Sequence, residues 1–368
     1  MNIDGTSYDR LELERHNGSL EAAGSVRLVE LADGAERGIR VLEFRNATGL
    51  AFEVLVDRAM DIGSAAYRGR EFAWRSATGF RHPGLHEYAD ESGLSWLRSF
   101  SGLTVTGGLD HTLFTAVTDA SHHNYPHRAT TWNGLHGRVA NIPARLGGYG
   151  IEERDGTLVL FAEGDVTQAA IFGEFLRLRR RIECDLDGTM IRLTDTVRNH
   201  GFDRQPHMFL YHVNYGWPLL AAGSRFVAPI TSTRWHSDSV AEQGVSHLTM
   251  PPPQPDFVEQ VYEHELAITG GETSAMIVND ELAWAVEMTW NATAFPAFFQ
   301  WLHLREGAYA LGMEPSTNHV EGRLAAEADG SLSWLDHGET RTYATRWTVH
   351  DGADAVADAE AVCMRQLG

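Results

Sequence analysis

The stretch from Phe175 to Val197, FLRLRRRIECDLDGTMIRLTDTV, decides the fold. Its apolar residues alternate with polar ones through Phe175-Leu176-Arg177-Leu178 and on through Ile182-Glu183-Cys184. A second such run follows in Met190-Ile191-Arg192-Leu193 and reaches Val197. Alternation with a period of two marks a half-buried strand, and Asp187-Gly188 between two such runs is a hairpin signal.

The same pattern recurs outward from this hairpin. Val26 and Leu28 lead to Asp33-Gly34, after which Ile39, Val41 and Phe44 alternate; Asp155-Gly156 introduces the run Thr157 to Phe161. Near the end, Ser333-Trp334-Leu335 and Thr342 to Val349, separated by Gly338, read as a closing strand pair. Helical spacing is convincing only from Ala353 to Leu367. Many short strands with turn signals and no strand–helix alternation predict an all-β protein, a large antiparallel β-sandwich with few short helices. No linker-like composition divides residues 1–368, so one domain is expected. Two segments resist a strand reading. One is the irregular region 79–136; the other is 249–256 with Pro251-Pro252-Pro253 and Pro255, an extended loop. Long irregular segments of this kind are usually binding loops or lids.

Composition narrows the function. Apolar residues make up 43% of the chain, enough for a substantial core, and 30 Lys plus Arg stand against 50 Asp plus Glu, a net charge of −20. Such a field repels polyanions, which argues against nucleic acid and anionic membranes as partners. A phosphorylated ligand would need a local basic pocket. The two cysteines, Cys184 and Cys363, form no CxxC pair, and no run approaches the ~18 apolar residues of a membrane span. The start of the chain has neither a basic n-region nor an apolar h-region, so a reducing, cytoplasmic setting is expected. Homo-oligomers stay open at this level.

Candidate chemistry begins with histidine. Seven of the 18 fall between 82 and 136: His82, His86, His111, His122, His123, His127 and His136. None has HExxH spacing or a paired carboxylate at a ligand-like offset, so neither a metal site nor another cofactor is expected. His136 stands apart in Gly134-Leu135-His136-Gly137-Arg138, where flanking glycines permit close backbone approach to a ligand. The densest constellation is Pro206 to Pro218. In a strand, His212 and Asn214 share one face while Tyr211, Val213 and Tyr215 share the other, and His207 lies opposite His212. Buried polar groups must be paired, by a ligand or by a structural network. The third element is Gln300-Trp301-Leu302-His303, followed by Met313-Glu314-Pro315. Proline holds the residue before it in extended geometry, placing Glu314 at a strand end.

In this order, Leu135-His136-Gly137, His212-Val213-Asn214-Tyr215-Gly216 and Met313-Glu314 with Asn318 resemble the aldose 1-epimerase (galactose mutarotase) superfamily, as a divergent branch. That pattern has an early Leu-His-Gly, a central His-x-Tyr-Phe-Asn strand, and a late Leu-Glu before an Asn-containing loop. Here Asn214 stands two residues after His212 rather than four, and Arg138 replaces the second glycine. For the arginine that precedes Leu-His-Gly in the family, Arg58 and Arg128 are the candidates. The resemblance implies a mutarotase-like sandwich and an isomerase that interconverts sugar anomers by acid–base ring opening and closure. It implies Glu314 as base, His212 as acid and His136 as a hydrogen bonder to the ring oxygen or a neighbouring hydroxyl. Substrate contacts are expected from Arg138, Asn214, Arg58, Gln300 and Trp217, with Trp132, Tyr215, Trp217 and Trp301 available as stacking faces. The alternatives are a lyase or isomerase on an oxidised sugar, with or without a metal, and a carbohydrate-binding protein without turnover.

Overall fold

The computed structural model describes residues 2–3 and 6–367. Alternation in the sequence becomes antiparallel pairing in three principal sheets. The opening hairpin forms as read: Phe175–Asp185 pairs with Met190–Asn199, setting Leu178 against Val197 and Ile182 against Leu193. Arg145–Arg154 and Thr157–Ala169 pair across Asp155-Gly156, with both turn residues at positive φ as a two-residue hairpin turn requires. These four strands continue through Thr340–Asp351, Trp284–Asn291, Glu272–Asn279 and Arg225–Val227 to make an eight-stranded sheet.

The second sheet carries the candidate motifs. Its strands run in the order Ile230–His236, Gln260–Leu266, Ala297–His303, Ala310–Ser316, Gln205–Tyr215 and Ser333–Leu335, and Thr104–Leu109 also pairs with Gln205–Tyr215. A five-stranded sheet of residues 25–71 adjoins them. The terminal helix runs from Ala353 to Met364 and a short 3₁₀ turn follows.

The core lies between the sheets. Phe209, Tyr211, Val213 and Tyr215 belong to one buried cluster with Trp284, Val286, Met288 and Trp347 of the eight-stranded sheet. Tyr211 donates to Asp195 Oδ2 (2.6 Å), and Arg180 binds both Asp195 (2.7 Å) and Asp61 (2.7 Å), a satisfied polar bridge across the layers. His207, on the same face as Tyr211, bonds the Leu109 carbonyl and the Tyr343 hydroxyl. The odd-numbered face of this strand is therefore committed to packing, which turns His212 and Asn214 the other way.

The closing strands depart from expectation. Ser333–Leu335 pairs with Gln205–His207, not with Thr340–Asp351, which inserts between Met190–Asn199 and Trp284–Asn291. Gly338 donates its N–H to the Asn199 carbonyl, so the chain changes sheets at the point read as a hairpin turn. Residues 79–136 are largely irregular, yet they supply the strand Thr104–Leu109. Its run Thr104-Val105-Thr106-Gly107-Gly108-Leu109 is buried throughout, and two of its six residues are glycine. Residues 251–256 form a loop without a strand.

Candidate functional site

Strand register builds the site. Leu210 lies against Ser316 and Val213 against Met313, so His212 faces Glu314 across adjacent antiparallel strands. Opposed residues project to the same side of a sheet. His212 Nε2 lies 3.2 Å from Glu314 Oε1, and both side chains are at most 5% exposed. Extending the row, Val105 lies beside His212 and Phe299 beside Glu314. Gly312 makes the approach feasible. A Cβ there would sit 3.1 Å from Glu314 Oε1, His212 Cε1 and Trp301 Cβ.

The pair lies on the wall of a cavity of about 350 Å³. Aromatic rings enclose it: His212 has Phe100 at 4.6 Å, Trp301 at 5.3 Å and Trp96 at 5.7 Å between ring centroids. Trp74 completes this wall against Phe100 and Trp301. His136 lines the same cavity, 5.6 Å from His212 ring to ring. Its backbone is left-handed (φ 53°), held by its N–H donating to Leu113 and its carbonyl accepting from Gly108. The glycine after it is obligatory, since a Cβ on Gly137 would come within 2.5 Å of the carbonyls of His111 and Gly108.

Burial governs the protons. It pushes Glu314 well above the usual carboxylate range, with Glu259 adding repulsion. It pushes His212 well below the usual imidazole range; His136 adds to this, while a weak contact with the Asn214 side chain works against it. His136 is driven by burial down to about 3. Both shifts favour the uncharged forms, a carboxylic acid on Glu314 beside the neutral ring of His212, since separated charges in a dry pocket are costly. His303, also on the wall, donates from Nδ1 to the Ala308 carbonyl (3.0 Å).

The sequence family described as "Domain of unknown function (DUF4432)" matches residues 36–349. The chain belongs to the DUF4432 family. Among solved structures, this DUF4432 chain is similar to a proposed aldose 1-epimerase from Klebsiella pneumoniae. The TM-score is 0.84 at 21% identity, over 93% of this chain and 88% of that one. A galactose mutarotase-like protein from Clostridium acetobutylicum aligns at TM-score 0.60 and 10% identity, over 89% and 98% of the two chains. A galactose mutarotase related enzyme from Lactobacillus acidophilus gives 0.55 and 12%, again over 89% and 98%. No curated protein shows a match. At these identities the likeness establishes the fold, a mutarotase-like β-sandwich.

Of the residues singled out in this DUF4432 sequence, His212, Glu314, His136 and Trp301 meet in the cavity. The others lie elsewhere. Arg58 is 2% exposed and donates to the carbonyls of Ala140 (2.9 Å), Ser99 (2.7 Å) and Arg81 (3.2 Å), so it ties loops together instead of reaching a ligand. Arg138 packs over the Tyr88 ring at 4.1 Å, and Arg128 bonds Thr131. Asn214 Nδ2 donates to the carbonyls of Gly102 and His212, behind the catalytic candidate rather than in the cavity. Gln300 points away because it alternates with Phe299 and Trp301, and its amide bonds His264 and the His247 carbonyl. Trp217 is 74% exposed outside the cavity, while Tyr215 is buried in the core.

Of the seven clustered histidines only His136 reaches the cavity wall; His82 caps Gly84 and His111 bonds the Phe114 carbonyl. Among the described residues no three His, Cys, Asp or Glu side chains gather as a metal-binding set. No helix among them is long and apolar enough to cross a membrane. Sequence reasoning did not select Trp74, Trp96, Phe100, Trp235 or Glu259, all of which line the cavity. The available signal was aromatic density inside an irregular segment, as in Trp96 and Phe100.

Proposed function

We propose that this protein interconverts the anomers of a monosaccharide by acid–base ring opening and closure. The observation that carries this reading is the His212–Glu314 contact of 3.2 Å on the wall of an aromatic cavity. Anomer exchange needs one group to remove the C1 hydroxyl proton and another to protonate the ring oxygen, and those two oxygens share one carbon. Two proton-carrying side chains in mutual contact suit that geometry.

With the resting proton on Glu314, the first half-reaction starts with His212 as base on the C1 hydroxyl and Glu314 as acid toward the ring oxygen. This reverses the roles implied by resemblance. The C1–ring oxygen bond breaks as the C1 carbonyl forms, leaving an open-chain aldehyde, an imidazolium and a carboxylate. Rotation about C1–C2 presents the other carbonyl face. The carboxylate then takes the proton from the C5 hydroxyl as its oxygen attacks C1, and the imidazolium returns a proton to the C1 oxygen. Both side chains end as they began. The uncharged resting pair avoids a buried charge, and the charged pair exists only while the ring is open.

One-dimensional NMR of anomeric protons with freshly dissolved α-sugars tests the reading. Faster equilibration that disappears in Glu314→Gln supports it; equilibration at the buffer rate with every sugar that binds refutes it. The oxidised-sugar alternative would bring a carboxylate to a wall that carries Glu259 and Glu314 and, among the described lining residues, no Lys or Arg.

A further inference from the structure

Arg138 stays out of the cavity, yet the ring beneath it leads back to His136. Its guanidinium carbon lies 4.1 Å above Tyr88. The hydroxyl of that same tyrosine accepts the N–H of Gly134 at 2.6 Å. A Cβ on Gly134 would come 3.3 and 3.4 Å from ring carbons of Tyr88 and 3.0 Å from the Gly93 carbonyl, so the ring is packed directly on the main chain. Tyr88 therefore holds both ends of the turn Gly134-Leu135-His136-Gly137-Arg138, whose middle residue is the cavity histidine.

That turn needs holding. His136 is in the left-handed region (φ 53°), which a residue with a Cβ seldom adopts and which persists where the surroundings impose it. Four of the five N–H groups of the turn donate to main-chain carbonyls: Leu135 to Gly93 (2.9 Å), His136 to Leu113 (2.8 Å), Gly137 to Gly134 (3.1 Å) and Arg138 to Gly108 (3.1 Å). Gly134 donates to a side chain instead, so its anchor can be removed without altering any backbone.

Tyr88 also reaches the neighbouring aromatic wall. Its carbonyl accepts from Ser95 Oγ (3.3 Å), at the start of the 3₁₀ turn Ser95–Ser99. That turn carries Trp96, whose ring lies 4.7 Å from His136. The histidine and the indole beside it thus share one tether, which lies outside the residues lining the cavity.

We infer that Tyr88 is a positioning residue, whose hydroxyl and ring fix the 134–138 turn so that His136 meets the sugar at hydrogen-bond range. This rests on the anomer-exchange reading, with His136 as a hydrogen bonder to the substrate. A displacement of about 1 Å in a positioned group can cost about 100-fold in rate, and loss of the tether should lower kcat/KM by about 10-fold or more.

The test is Tyr88→Phe in the full-length protein, which removes the hydroxyl and keeps the ring under Arg138. Anomer exchange is read by NMR in the natural background and in His136→Gln, whose residual rate the His212–Glu314 pair still supports. Long-range proton–nitrogen spectra of the imidazole rings are recorded on the same variants, with the His136 signals assigned from His136→Gln. The expected result is a fall of about 10-fold or more in the natural background, no further fall in His136→Gln, and His136 ring signals that shift while those of His303 stay. Exchange at the natural rate in Tyr88→Phe would overturn the inference, and so would losses that multiply in the double variant. Exchange of no sugar by the natural protein would overturn the catalytic reading and leave positioning to the ring signals: a shift confined to His136 upholds it, and unchanged signals overturn it.

Discussion

Replacing Glu314 with Gln separates proton transfer from everything else the side chain does. The amide keeps the volume of the carboxyl and leaves the 3.2 Å contact with His212 Nε2 in place. The packing around the pair therefore survives, and the stability change should stay within about 1 kcal/mol, as for a volume-conserving swap. Catalysis should not survive. A positioned acid or base contributes about 10²–10⁴ in rate, or roughly 2.7–5.5 kcal/mol of barrier at ~1.36 kcal/mol per decade. NMR exchange between anomers gives the rate, and tryptophan fluorescence with a methyl glycoside gives binding on the same samples. The substitution also carries a pH signature. Burial raises Glu314 above its unfolded value of 4.5, so its contribution to stability is fully present below that pH and is lost as pH rises through the folded value. The advantage of the natural protein over Glu314→Gln in melting temperature should therefore be larger at pH 4 than at pH 8. A variant that keeps more than a tenth of the natural rate would refute Glu314 as a proton carrier.

Three other substitutions probe different parts of the argument. Gly312→Ala, at ordinary backbone angles, puts a methyl 3.1 Å from both members of the pair; anomer exchange should fall about tenfold or more with only a small change in melting temperature. Arg58→Met strips the carbonyls of Ala140, Ser99 and Arg81 of a buried donor, and urea titration should show a loss of about 3–5 kcal/mol. His207 is held neutral between the Leu109 carbonyl and the Tyr343 hydroxyl, and burial pushes it down to about 4. Its stabilising contribution is present above pH 6.5 and lost as pH falls toward 4, about 3 kcal/mol in all. The acid limb of a melting-temperature profile should be visibly shallower in His207→Gln.

Hairpins were legible because their signals are local. Asp155-Gly156 and Asp187-Gly188 set both turn and register within a dozen residues, and their strands pair as read. The two faces of Gln205–Tyr215 were legible for the same reason, since a period of two sends Tyr211 to the core and His212 to the cavity. What escaped depends on distant contacts. Nothing near Ser333 says that its strand will join Gln205–His207 instead of its neighbour. Arg58 was a candidate ligand contact only as a match to the arginine that precedes Leu-His-Gly in the resembled family, and the carbonyls that occupy it come from residues 23 to 82 positions away. Gln300 and Trp301 were both nominated, yet adjacent strand residues cannot serve one face, and the tryptophan has it. The wall of Trp74, Trp96 and Phe100 arises where an irregular segment folds back on a sheet, and no periodicity announces that.

The placement of Arg58 also bears on how the cavity wall moves. Its guanidinium gathers the main chain at residues 81, 99 and 140, bracketing the segment that carries Trp96, Phe100 and His136. A surface loop of such length would ordinarily open on its own and exchange its amide hydrogens within seconds. Tied at three points to an arginine beside the sheet, this one should open only when the sheet itself does. Its amides near the tie should then carry protection close to that of the core strands, so a ligand meets a wall already in place.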